Sequence, residues 1–234
     1  MDQHPVVSGE EWARARAALL AKEKEFTRLR DELARQRRDL PWEEVTKEYF
    51  FEGPEGTRSL TQLFDGRSQL IVYHFMFAPD WDEGCPSCSF WADTFNGSIE
   101  HLRARDVTMV AISRAPQPKL ARYAKRMGWT FPWFSSGGTD FNDDFAVSFT
   151  PESLAGGTAA YNYGTIKPDR EDLPGISVFC SRGGQVFHTY SAYSRGIDMM
   201  NGTYQYLDLV PKGRDEAGLE HPAAWLRRHD EYEG

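Results

Sequence analysis

What the chain has little of narrows its class first. It holds only three cysteines, Cys85, Cys88 and Cys180, among 234 residues. So small and odd a number cannot build a disulfide framework, so apolar packing must hold the core. Long apolar runs are missing too. The most apolar window, 70–79, contains His74 and falls well short of the ~20 residues a membrane helix needs. Surplus positive charge is also absent, since 27 Lys and Arg face 35 Asp and Glu for a formal net charge of −8. That balance weighs against nucleic acid and against an anionic membrane surface as partners, because both rely on clustered cations. The opening residues Met1 to Pro5 show no basic region followed by an apolar stretch, so no secretory signal is read and the expected location is the cytoplasm. In a reducing compartment, a close cysteine pair points to redox or metal chemistry.

What is present suits a globular domain: hydrophobic residues make up 40% of the chain, enough for a sizeable core. Residues 8–40 read as one long helix, opened by a Ser8/Glu11 capping box and ended by Pro41. Trp12, Leu19, Phe26, Leu33 and Leu40 recur every seven residues and form one narrow stripe. No second regular apolar position accompanies it, which argues against a long free coiled coil. The stripe either lies on its own domain or meets a second copy, so a homodimer through this helix is an open expectation. The chain then divides into a helical extension (1–47), a main domain (48–207) and a tail (208–234).

The main domain alternates strand and helix. Strands are expected at 49–52, 70–77, 107–113, 176–180 and 185–190, and helical segments at 59–64, 85–103, 118–127 and 194–207. Strand–helix–strand order implies parallel pairing, and Ser181-Arg182-Gly183-Gly184 marks a late antiparallel hairpin. The fold class is therefore α/β, a mixed central sheet with helices on both faces. Residues 135–173 break the rhythm, being rich in Gly, Ser, Thr, Asn and Asp yet carrying Phe141, Phe145, Phe149, Tyr161 and Tyr163. They are expected to form an irregular insertion with a function of its own.

The chemistry concentrates at Cys85-Pro86-Ser87-Cys88, which follows a buried strand and opens a helix. Thiolate is the attacking species, and free peptide N–H groups at a helix start favour it. Pro86 suits the first turn, where its missing N–H costs nothing. Cys85 is the expected nucleophile and Cys88 the resolving thiol. A zinc site would need two further ligands, and only Cys180 and His188 offer themselves, so no metal and no cofactor are called for. Asp80, Asp82 and Glu83 precede the pair and are expected to oppose the thiolate. Trp81, Phe90 and Trp91 could line an apolar substrate surface or pack in the core. Arg114, Arg182 and Arg195 read as solvated surface, and Cys180 as a buried small hydrophobe.

This order of elements resembles the thioredoxin superfamily over residues 48–200, particularly its peroxiredoxin and cytochrome-maturation branches. Phe50-Phe51-Glu52-Gly53 with Leu63-Phe64-Asp65-Gly66 resembles the lead-in, 70–77 the central strand, and Pro174-Gly175-Ile176 the segment that carries the superfamily's cis-proline. The resemblance implies that Pro174 sits against the cysteine pair and offers backbone to an extended substrate. It also puts His74 nearest the place of a buried carboxylate that takes up the resolving thiol's proton. Closer still, the strings YHFMF, GCPSCSFWAD, RMGWTFPW and FHTYSAYSRG resemble an uncharacterised bacterial family of thioredoxin-like proteins.

A thiol–disulfide oxidoreductase acting on a protein or small-molecule disulfide is the leading expectation. A thiol peroxidase is the alternative, but the peroxiredoxin pattern Pro-x-x-x-Thr/Ser-x-x-Cys is not kept. Pro79 stands six residues before Cys85 rather than seven, and Glu83, four after Pro79, takes the hydroxyl position. The third reading is a non-catalytic binding module that uses the aromatic loops.

Overall fold

The structure, a computed structural model, describes residues 4–233; of the opening residues read above, Met1, Asp2 and Gln3 lie outside that range. The chain forms two compact units that divide after Pro41. The first is essentially one helix, α1 (Gly9–Arg38), and its capping box is formed: Ser8 Oγ accepts from Glu11 N–H at 3.2 Å and Glu11 Oε2 accepts from Ser8 N–H at 3.0 Å. By itself α1 buries no side chain, and Trp12, Leu19, Phe26 and Leu33 are exposed along it. No helix among the described residues is long and apolar enough to cross a membrane.

The second unit carries one eight-stranded sheet. In chain order the strands are β1 (Glu43–Glu44), β2 (Phe50–Gly53), β3 (Gly56–Ser59), β4 (Gln69–His74), β5 (Val107–Ser113), β6 (Trp133–Ser135), β7 (Gly175–Arg182) and β8 (Gln185–Tyr193). Across the sheet they run β1-β8-β7-β4-β5-β6-β2-β3. β4, β5 and β6 are mutually parallel, whereas β7 pairs antiparallel with β4 and β8 with β7. Residues 43–44, read as part of the helical extension, are instead the sheet's edge strand, paired with His188 and Phe187.

The helices of this unit are α2 (Pro86–Ala92), α3 (Ile99–Arg103), α4 (Gln117–Arg126), α5 (Phe141–Asp144), α6 (Pro151–Ala155) and α7 (Gly202–Leu207). One face of the sheet packs Tyr73 and Met109 against Trp91, Ile99, Leu120 and Tyr204 of α2, α3, α4 and α7. The other packs Val72, Ile112 and Phe179 against Leu63, Phe64, Phe141 and Phe145. Successive strand residues point to opposite faces, which divides these two cores. With its cysteines at the N-terminus of α2 behind the central strand, this is a thioredoxin-like fold.

Three segments differ from the sequence reading. The helix expected over 85–103 is broken between α2 and α3, where Gly97 is a poor helix former, Asn96 bonds across to Gly128 O (3.0 Å) and Thr130 N–H (2.9 Å), and Thr94 Oγ1 lies 2.8 Å from Trp91 O and 3.1 Å from Met200 O. The segment 194–207 is likewise divided, because Asn201 caps α7 by accepting from Tyr204 N–H at 3.0 Å. The strand expected to run to Phe77 ends as a ladder at His74; beyond it Met76 turns its N–H to Cys88 and its carbonyl to Cys85 N–H.

Candidate functional site

Past β4 the chain stays extended but changes partners. Phe75 N–H donates to Ile112 O (2.9 Å), Ala115 N–H to Phe77 O (2.8 Å) and Cys85 N–H to Met76 O (3.1 Å). The last bond pins Cys85 against the end of the central strand. Pro86 does the rest: a residue before proline is pushed out of the helical region, and Cys85 sits at φ −55°, ψ 129° as the N-cap of α2. Pro86 is therefore the first helical residue, as expected. Gly84 fits here for lack of a side chain, because a Cβ would lie 2.7 Å from the Phe75 ring and 3.0 Å from Tyr123.

Cys85 and Cys88 share this turn as free thiols, Cys85 partly accessible and Cys88 buried. Their environments push them apart. A hydrogen bond from Cys88 chiefly holds the Cys85 thiol down at about 7; burial opposes this, while the N–H groups of Cys88 and Ser87 and the positive charge of Arg170 add to it. Burial raises Cys88 well above the ordinary thiol range, although its sulfur accepts from Met76 N–H at 3.4 Å. One thiol is poised to ionise near neutrality and the other stays protonated as its donor.

The acidic loop does not act as expected. Burial, not Asp80, Asp82 or Glu83, is what opposes the Cys85 thiolate. Glu83 is bound by Arg126 and, at 2.8 Å, by Arg228. Arg228 also donates from Nη2 to Gly84 O (3.0 Å) and from Nε to Tyr123 Oη (2.8 Å). The Tyr123 and Ser89 hydroxyls are bonded at 2.9 Å, and Ser89 Oγ donates to Cys85 O at 2.9 Å. The segment read as a tail is thus tied to the residues on both sides of Cys85.

The 135–173 insertion reaches the site from the other side. It is anchored by Arg114, whose Nε and Nη2 donate to the two oxygens of buried Asp172, each at 2.8 Å. Arg114 is thus a half-buried anchor, not solvated surface. Tyr161 donates its hydroxyl to Pro174 O and accepts from Ser194 N–H at 2.7 Å, fixing the backbone beside the pair. Of the other two arginines, Arg182 stacks on Trp42 (4.9 Å) and Arg195 pairs with Asp198 (3.3 Å).

Pro174, Tyr73, Ser87 and Cys88 share the inner side of a cleft of about 480 Å³, with Trp91 on its wall. The Pro174 peptide bond is trans: among the described residues no peptide is cis. A cleft of equal volume between Pro54, Arg103 and Thr130 contains no cysteine or histidine. Trp81 packs at the edge of the same core as Cys85 and lies outside the cleft lining. Cys180, expected to be buried, is half exposed near the end of β7.

His74 is not where a base for the pair must be. Its neighbour Tyr73 faces Cys88, so His74 faces the opposite core, 5.6 Å from the Phe141 ring and 6.2 Å from that of Phe145. Its Nε2 is bonded to Ser177 Oγ at 2.9 Å, and Ser191 and His188 extend the chain at 2.8 and 2.7 Å. Burial, aided by His188, brings its pKa down to about 3, so it is neutral. No three His, Cys, Asp or Glu side chains are grouped as metal ligands among the described residues.

The residues missed from sequence are Tyr73, Ser89, Tyr123, Tyr161 and Arg228. Ser89 lies one helical turn from Cys85, but the bonds of Tyr123, Tyr161 and Arg228 cross 13 to 144 residues, whereas sequence patterns report neighbours within a helical turn or a hairpin.

Residues 1–232 match the family described as "Bacterial protein of unknown function (DUF899)". No curated protein matches the chain. Among solved structures, the peroxidoxin BcpB of Mycobacterium tuberculosis is similar at 14% identity and a TM-score of 0.50, over 71% of this chain and 97% of that one. The bacterioferritin comigratory protein of Xanthomonas campestris is similar at 13% identity and a TM-score of 0.47, over 71% and 94%. At such identities the likeness to BcpB speaks to the fold alone.

Proposed function

We propose, from the premise that this chain belongs to the bacterial family DUF899, that it is a cytoplasmic thiol–disulfide oxidoreductase. One observation carries this reading: a partly accessible Cys85 with a pKa near 7 stands at a helix N-terminus beside a buried, protonated Cys88. At neutral pH about half of such a thiol is thiolate, against a few per cent of a free cysteine. Cys85 attacks a substrate sulfur, the substrate disulfide breaks, and one thiolate leaves. Cys88 then gives up its proton and attacks Cys85, releasing the second thiol and leaving a Cys85–Cys88 disulfide. Two electrons pass to the substrate.

The peroxidase reading draws no support from the loop before Cys85, where Glu83 is held by arginines instead of offering a hydroxyl to a peroxide. The test is mild oxidation followed by mass mapping, with reduction of a disulfide substrate assayed in parallel. The account expects a single Cys85–Cys88 disulfide and loss of reduction in Cys85→Ser. An oxidised species that links Cys180, or an active Cys85→Ser protein, would overturn it.

A further inference from the structure

The cleft beside Cys88 has features that select its occupant. Its walls include the rings of Tyr73, Trp91 and Tyr204, and its volume of about 480 Å³ suits a small organic group. The polar handles of two of these rings are already used: Trp91 Nε1–H donates to Ile197 O at 3.1 Å and Tyr204 O–H to Glu216 at 2.9 Å. Tyr73 differs. Its hydroxyl is fully buried next to the pair and makes no well-formed hydrogen bond, its one polar neighbour being the Cys88 thiol. Burial keeps that phenol protonated, so it is a donor that a better acceptor than the thiol can engage.

Most charges around the cleft are engaged. Arg214 grips Asp208 at 2.8 and 2.9 Å and Asp198 at 3.2 Å, while Arg195, largely exposed, approaches Asp198 at 3.3 Å. Glu216 accepts from neutral donors: Tyr204, Ala223 N–H (3.1 Å) and Trp225 Nε1–H (2.8 Å). A charged ligand would have to compete with these bonds, whereas a neutral one would not.

Building on the oxidoreductase reading, we propose that the cleft holds an uncharged aromatic group bearing a hydrogen-bond acceptor that meets the Tyr73 hydroxyl, so that neutral aromatic disulfides are the preferred substrates. The Cys85 thiolate attacks the near sulfur of the bound disulfide, and the sulfur–sulfur bond breaks. The first aryl thiolate leaves and takes a proton from water, while the second stays in the cleft as a mixed disulfide with Cys85. Cys88 loses its proton to water and attacks Cys85, expelling the second thiolate. One disulfide is reduced to two thiols as the dithiol is oxidised, so a single turnover needs no other reductant.

The experiment is single-turnover oxidation of the reduced protein by two neutral disulfides, aromatic dithiodipyridine and non-aromatic hydroxyethyl disulfide. The readout is the ratio of their rate constants, which cancels general damage to the cysteines. Tyr73→Phe, which keeps the ring, and Ala223→Phe, which fills the cleft, are each expected to lower that ratio about fivefold or more. Tyr73→Phe decides the matter if the larger substitution does not fold. A ratio unchanged in Tyr73→Phe, with both disulfides still reduced, overturns the cleft proposal and leaves the oxidoreductase standing. Failure of the wild-type protein to reduce either disulfide overturns both.

Discussion

Tyr73 and His74 are neighbours on one strand and are both buried, yet they serve opposite sides of the sheet. On the Tyr73 side, a buried hydroxyl whose one polar neighbour is the Cys88 thiol faces a cleft. On the His74 side, a neutral imidazole sits among phenylalanine rings; its Nε2 closes a chain of serine hydroxyls and its Nδ1 has no partner. Each face thus buries a polar atom without a well-formed bond, and what differs is what lies beside it: thiols and a cleft on one face, aromatic rings and a hydroxyl chain on the other. The comparison teaches that the surroundings of a buried polar group, not its burial, distinguish the two faces.

The largest effect expected to separate the faces is on acid stability. His74 has a folded pKa near 3 against about 6.5 in an unfolded chain, so the unfolded state binds more protons between those values. Stability is therefore greatest above about pH 6.5 and falls as pH drops toward 3, by about 1.4 kcal/mol per unit. Denaturant unfolding across this range should show that slope in the wild type and lose it in His74→Gln. An unchanged slope would mean that His74 is solvated after all. Tyr73→Phe, by contrast, should leave stability unchanged or raised, because it removes an unpaired buried hydroxyl.

Next in size is the turn that presents Cys85. Gly84→Ala forces a Cβ into the Phe75 and Tyr123 rings and should cost about 1–3 kcal/mol. Gly97→Ala, with nothing within 4 Å, is the control and should cost far less. Equal effects would show that the ring wall yields freely. Arg228→Ala takes one of its two arginines from Glu83 and the shorter of two donors from the Gly84 carbonyl, and loss of these charged bonds should cost about 1–3 kcal/mol. It should also raise the Cys85 pKa, because Glu83 then keeps only Arg126 to offset its charge. An unmoved alkylation profile would reduce Arg228 to a purely structural tie.

The smallest effect is expected on the N-terminal helix. Its stripe is exposed, so Leu19→Asp with Phe26→Asp should change unfolding of the sheet unit by no more than about 0.5 kcal/mol. Light scattering on the same variant reads the partner question: a mass halved relative to wild type would place a second copy on the stripe.

Much of the fold was legible because it is local. The Ser8/Glu11 cap, the central apolar strand though not its end, the Gly183-Gly184 hairpin and the Cys-Pro-Ser-Cys turn each announce themselves within a few residues. The site was legible only in its nucleophile and in Pro86 and Pro174. Which face a strand residue takes depends on register, and a reading one residue off exchanges Tyr73 for His74. That slip put the wrong side chain beside the pair. Neutralisation of Glu83 could not be read at all, since Arg228 arrives 145 positions later in the chain.

The central claim is that Cys85 is the ionising thiol because Cys88 lies beside it as a buried donor. The most direct measurement is the rate of Cys85 alkylation against pH in the reduced wild-type protein, mapped by mass, and repeated in Cys88→Ala. The account predicts a midpoint near pH 7 for Cys85, a Cys88 that stays unreactive across the range, and a midpoint that rises in Cys88→Ala once its leading hydrogen bond is gone. A Cys88 that reacts first, or a Cys85 midpoint unmoved by removal of Cys88, would contradict it.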